Sequence, residues 1–97
     1  MHKYGKIDAN QPEIVKALEQ IGCSVQSLAS TGNGCPDLLV GVHGLNILFE
    51  IKDGSKPPSA RKLTPEEYIW QQNWRGQVHT VESADEAMDV LNRRVRV

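Results

Sequence analysis

The chain has 97 residues, 39% of them hydrophobic and 24% charged, too short for a second core and ordinary in composition for a globular domain. Lys and Arg number 11 against 12 Asp and Glu, so the formal charge of -1 excludes the strongly basic balance of a non-specific nucleic-acid coat. No apolar run nears the roughly 20 residues of a membrane span, and Met1-His2-Lys3-Tyr4-Gly5-Lys6 lacks the features of a secretory signal. One soluble, cytoplasmic domain over residues 1–97 is therefore expected.

In chain order, Asn10-Gln11-Pro12-Glu13 reads as a helix start. Asn10 would be the N-cap, Pro12 would lie in the first turn, and Glu13 could reach back as a capping box. Ile14, Ala17, Leu18 and Ile21 recur at helical spacing before Gly22, which predicts a helix over 11–21. Ser24 to Ala29 alternates as a half-buried strand does, and Ser30-Thr31-Gly32-Asn33-Gly34-Cys35-Pro36 breaks it. Asp37–Val42 and Asn46–Lys52 are β-rich runs around His43-Gly44-Leu45, the pattern of an antiparallel hairpin. After a Pro/Ser loop, Thr64-Pro65-Glu66-Glu67 opens a second helix running to Arg75, with Thr64 and Glu67 as its capping box. Gln77–Val81 is a last strand. Ser83 caps a final helix with the stripe Ala84, Ala87, Met88 and Leu91. The predicted order is α-β-β-β-α-β-α, an α/β domain.

The hairpin's register follows from its pattern, because a slip of one residue would send every side chain to the other face. Leu38, Val40 and Val42 pair with Ile47, Phe49 and Ile51 to make one apolar face. Asp37, Glu50 and Lys52 then gather on the opposite face, with Asp37 across from Glu50 or Lys52 and the third residue on the diagonal at about 7 to 8 Å. Two carboxylates and a lysine at a sheet edge suit a hard cation such as Mg²⁺ or Mn²⁺, whose shell water and phosphate complete. Such a site serves phosphodiester hydrolysis, with Lys52 orienting or deprotonating the attacking water and offsetting transition-state charge. The plainer alternative is a strand-start Asp after Pro36 and a same-face Glu–Lys pair on an exposed sheet.

Basic charge is local: Lys52, Lys56, Arg61 and Lys62 flank one loop, and Arg93, Arg94 and Arg96 lie near the C-terminus. Lys56, Arg61 and Lys62 are the expected phosphate contacts. Cys23 and Cys35 fit no metal-binding pattern and read as free, mostly buried thiols. Trp70 and Trp74 lie one turn apart, a spacing that permits base stacking but more often marks core, the reading favoured here. His43 in a turn and His79 on a strand carry no catalytic expectation.

Cys35-Pro36-Asp37 followed by Phe49-Glu50-Ile51-Lys52 resembles the P-D...E-x-K signature of PD-(D/E)XK nucleases, whose core is the restriction-endonuclease-like α-β-β-β-α-β arrangement. More narrowly, three pieces taken in order resemble the stand-alone VRR-NUC domains of phages and prophages: Gly34 to Gly41, Glu50 to Gly54, and Lys62-Leu63-Thr64-Pro65 with the later Trp74-Arg75-Gly76. The likeness covers nearly the whole chain. It implies metal ligation by Asp37, Glu50 and the backbone carbonyl of Ile51, with Lys52 as the catalytic lysine and Glu13 as an additional acidic residue. Glu13 thus has two readings, capping box and metal ligand. Family members often carry Gln in the helix after L-T-P, where this chain has Glu67. Gln71, one turn later on the same face, is the preferred catalytic helper.

The resemblance also implies a Mg²⁺- or Mn²⁺-dependent endodeoxyribonuclease acting as a homodimer on branched DNA such as four-way (Holliday) junctions, in the cytoplasm of a bacterial host. Two-fold pairing also suits a small domain facing a substrate with two symmetric strands. No membrane and no nucleotide cofactor are expected. The alternatives are a catalytically inactive DNA-binding or scaffold module of the same fold, and a hydrolase of another phosphate ester, for which no nucleotide fingerprint appears.

Overall fold

His43 and Gly44 are the hinge on which the sheet is built. Both adopt positive φ, +50° and +79°, the left-handed pair that a two-residue turn of primed type needs to match the right-handed twist of its strands. In the computed structural model, which describes residues 7–94, this turn joins β2 (Leu38–Val42) to β3 (Leu45–Ile51). The pairing Leu38↔Phe49, Val40↔Ile47 and Val42↔Leu45 keeps the faces predicted from alternation, and of the two registers left open it is the one that sets Asp37 opposite Glu50. Leu45 belongs to the strand rather than to the turn because two residues suffice to reverse the chain.

Around this hairpin the order is α1 (Gln11–Gln20), β1 (Ser24–Ser27), β2, β3, a 3₁₀ turn (Pro58–Ala60), α2 (Pro65–Asn73), β4 (Val78–Val81) and α3 (Ala84–Arg94). The chain is thus an α/β domain with a four-stranded mixed sheet, ordered β1-β2-β3-β4. β1 and β3 flank β2 antiparallel, while β4 joins β3 parallel, with Glu50↔Thr80 and Ile51↔Val81 in register. A parallel partner cannot follow through a tight turn, so the segment bearing the 3₁₀ turn and α2 makes the crossover.

One face of the sheet is the core. Leu38, Val40, Ile47, Phe49, Ile51 and Val81 meet Ile14 and Leu18 of α1 and Ala87, Val90 and Leu91 of α3. α1 ends in a Schellman arrangement: the Cys23 amide donates to the Leu18 carbonyl at 3.1 Å and the Gly22 amide to the Glu19 carbonyl at 3.0 Å, with Gly22 at φ +98°. Ile21 lies past the last helical turn and is 57% exposed, so it is no part of the apolar stripe expected of it. Ser83 caps α3, its hydroxyl accepting from the Glu86 amide at 3.1 Å. Cys23 is buried, Cys35 half-buried, and neither is bridged.

Two expectations are corrected. Asn10 stands at the head of α1, but among the described residues its side chain takes no cap hydrogen bond, so the box with Glu13 does not form. Its amide instead donates to the carbonyls of Lys52 and Glu82, both at 3.0 Å, tying α1 to the ends of β3 and β4. The tryptophans are not core. α2 has no buried residue among those described, Trp74 is 48% exposed, and Trp70 and Trp74 stack on each other outside the core cluster. The apolar sheet face is already filled by α1 and α3, leaving no place in it for α2. Among the described residues no helix is long and apolar enough to cross a membrane.

Candidate active site

Asp37, Glu50 and Lys52 come together because β2 begins where β3 ends. Extending the register from Leu38↔Phe49 sets Asp37 beside Glu50, and the Asp37 carboxylate accepts the Ile51 amide at 2.7 Å. Alternation then points Glu50 and Lys52 away from the helix-covered face, yet both are buried, at 3% and 9% exposure. What covers them is the start of α2. Thr64 and Glu67 form the expected capping box, and the same Glu67 Oε1 that accepts the Thr64 amide at 2.8 Å accepts from Lys52 Nζ at 2.8 Å. Lys52 Nζ also lies 3.7 Å from Glu50 Oε2.

Two carboxylates, Glu50 and Glu67, therefore share one ammonium, with the Asp37 charge acting on Glu50. Burial, then the charges of Asp37 and Glu67, push the Glu50 carboxyl up to about 10. Burial also raises Asp37, against the Ile51 amide that favours its charged form. Lys52 moves up as well, since hydrogen bonding and charge from Glu67, with Glu50 and Asp8 behind them, outweigh the burial that would lower it. Glu67 moves down in spite of burial, held ionised by Lys52 and the Thr64 amide. Glu50 Oε1 is buried with no hydrogen-bond partner. An orphaned carboxylate oxygen between like charges lacks a proton or a cation. Among the described residues no three His, Cys, Asp or Glu side chains stand as a ready-made metal cage. A pair of carboxylates fits Mg²⁺, which keeps several waters.

The remaining predicted residues distribute unevenly. Gln71 stands beside the constellation and not in it, its amide reaching Thr80 Oγ1 at 3.4 Å next to Glu50 in the sheet; Glu67 takes the place expected of it because the N-terminal turn of α2 is the part that meets Lys52. Glu13 lies exposed in a separate cleft with Asp53, Ser55, Glu82 and Glu86, and is not among the charges felt by Asp37, Glu50 or Lys52. Asp8 supplies that charge instead, acting on Asp37 and Lys52 from the segment before α1. No periodicity marks Asp8, whereas the capping box did mark Glu67. Of the loop cations, Arg61 is paired with Glu82 at 3.0 Å, Lys56 Nζ is 4.0 Å from Asp8, and Lys62 is exposed. Arg94 Nε donates to His79 Nε2 at 3.3 Å, while Arg96 lies outside the described residues.

No family model, curated protein or solved structure matches the chain.

Proposed function

We propose that this chain is a metal-dependent DNA endonuclease of the restriction-endonuclease-like, VRR-NUC type, cutting branched DNA such as four-way junctions as a homodimer. The observation that carries the reading is the buried, unpartnered Glu50 Oε1, flanked by Asp37 and Lys52 at the open end of a hairpin. The element order and the parallel β4 beside an antiparallel hairpin support the fold assignment.

Asp37, Glu50 and the Ile51 carbonyl are the residues that would hold Mg²⁺ or Mn²⁺. When bound, the ion supplies Lewis acidity toward a phosphate oxygen and makes a coordinated water more acidic. The Ile51 amide fixes the Asp37 carboxylate, so its orientation does not depend on the ion. Glu67 keeps Lys52 cationic, which suits the lysine to orienting the attacking water and offsetting phosphorane charge and unsuits it to removing a proton. Lys56 and Lys62 would meet the flanking phosphates.

The test is gel-resolved cleavage of a four-way junction, a linear duplex and a single strand by wild type and Asp37→Ala, with Mg²⁺, Mn²⁺ or EDTA. Metal-dependent paired nicks in the junction, absent in the variant, are expected. Cleavage of every substrate would replace junction selectivity with a general nuclease. Binding without cleavage under any metal would overturn the enzymatic reading in favour of a DNA-binding module.

A further inference from the structure

α2 carries Glu67 into the site with its first turn and leaves its last turns uncovered. There Trp70 and Trp74, the chain's two tryptophans, stack with ring centroids 4.6 Å apart and planes 19° from parallel. They form one wall of a cleft of about 320 Å³ whose other lining residues are Asn33, Glu66, Ile69 and Asn73. The cleft is held in shape. Asn73 Nδ2 donates to the Ile69 carbonyl at 3.1 Å, and the Trp74 ring lies over Gly76, where a Cβ would come within 2.9 Å of its Nε1. Gly34, at φ +83°, lets the loop that carries Asn33 touch the α2 backbone at Glu66. Three residues further on, that loop delivers Asp37.

The geometry points to a nucleobase as the occupant: we propose that the Trp70–Trp74 cleft binds an unpaired base of the DNA whose backbone passes the Asp37–Glu50–Lys52 constellation. The inference rests on the nucleic-acid half of the proposed function. Paired indoles offer a π-face that any base accepts, and amides at the rim offer donors and acceptors to a base edge. Charge favours the same occupant. Lys62 just before α2 and Arg75 just beyond it are exposed and, among the described residues, unpaired, so each end of the helix carries a cation suited to phosphate. One helix thereby couples recognition of an unstacked base to the placement of Glu67 against Lys52.

Because both tryptophans line the cleft, intrinsic fluorescence reads it directly. In EDTA, so that nothing is cut, wild type is titrated with a duplex bearing one bulged thymine, with the same duplex lacking the bulge, and with an abasic bulge. Quenching by the thymine bulge alone is expected. Trp74→Leu should weaken that complex about 5- to 150-fold, the range set by losing one base stack of about 1–3 kcal/mol, with the intact duplex unaffected. Trp74→Phe should fall between. Equal quenching and affinity for all three duplexes would overturn the proposal. So would an emission change on diluting the protein without DNA, which would assign the cleft to a second copy of the chain. Metal-dependent cleavage by wild type is scored separately. Cleavage without base-dependent quenching sinks the cleft and leaves the nuclease, whereas base-dependent quenching without cleavage leaves the cleft and sinks the nuclease.

Discussion

Lys52 illustrates how one residue acquires its chemistry from its neighbours. Its ammonium is nearly buried, and Glu67 at 2.8 Å holds it protonated. Lys52→Met is therefore expected to abolish cleavage, a loss of about 10²-fold or more for a positioned charge at the transition state, while DNA affinity measured with Ca²⁺ stays near wild type. Cleavage at the wild-type rate would remove Lys52 from the mechanism. Asp37 has a double task, since its carboxylate both accepts the Ile51 amide and faces Glu50. Asp37→Asn retains an acceptor for that amide and removes a charge, so the metal-free variant should melt within a few degrees of wild type. Asp37→Ala should lose about 1–3 kcal/mol from the orphaned amide, offset in part by relief of repulsion. His79 gives the pH prediction. Burial, then Arg94 and Arg93, lower it, and its Nε2 must be unprotonated to accept from Arg94. A depressed histidine stabilises the fold above its unfolded value of about 6.5, and that contribution is lost as pH falls through the folded value. Thermal melts from pH 7 down to 5 should show the loss, and Arg94→Ala should reduce its size; an unchanged slope in the variant would exclude Arg94 as a cause.

At the scale of elements, α2 is the part whose position matters most and whose packing is least. It buries no residue of its own among those described, and what fixes it is the Thr64–Glu67 box, the Lys52 ion pair and the close approach of Gly34 to the Glu66 carbonyl. Gly34→Ala would put a Cβ onto that carbonyl in a left-handed backbone. The variant should lose roughly 1–3 kcal/mol in urea unfolding and, by displacing Glu67, should lose more activity than stability accounts for. A variant with wild-type kcat would show that the loop and helix adjust independently of the site. Capping chemistry made Thr64 and Glu67 legible before any fold was known. That chemistry did not reveal that one carboxylate oxygen serves both the cap and Lys52, because the second partner is distant in sequence and arrives by the β3–α2 crossover.

For the whole molecule, the site is a concentration of negative charge in a chain of nearly neutral balance. Burial raises both Glu50 and Asp37, and the Asp37 charge raises Glu50 further; a divalent cation that binds there in the folded chain stabilises the folded state over the unfolded one. At about ten times its dissociation constant, Mg²⁺ should add about 1.4 kcal/mol, a melting shift of several degrees for a domain this size. Calorimetry with and without Mg²⁺ would measure it, and Asp37→Asn should abolish it. An equal shift in the variant would place the ion elsewhere, the acidic cleft around Glu13, Asp53 and Glu82 being the first location to examine.

The sequence by itself determined the main helices and strands, their order, the two faces of the hairpin and the meeting of Asp37, Glu50 and Lys52, because alternation, turn residues and caps are local; the two-residue turn at His43 and Gly44 then chose Glu50 over Lys52 as the partner opposite Asp37. Tertiary structure alone decided what surrounds that meeting point. Glu67 rather than Gln71 faces Lys52, Asp8 rather than Glu13 charges the site, Asn10 braces β3 and β4 instead of capping α1, and the tryptophans lie outside the core. Each of these depends on which face of a helix meets which strand end. The hydrophobic pattern leaves that open for α2, since α1 and α3 already fill the apolar face of the sheet.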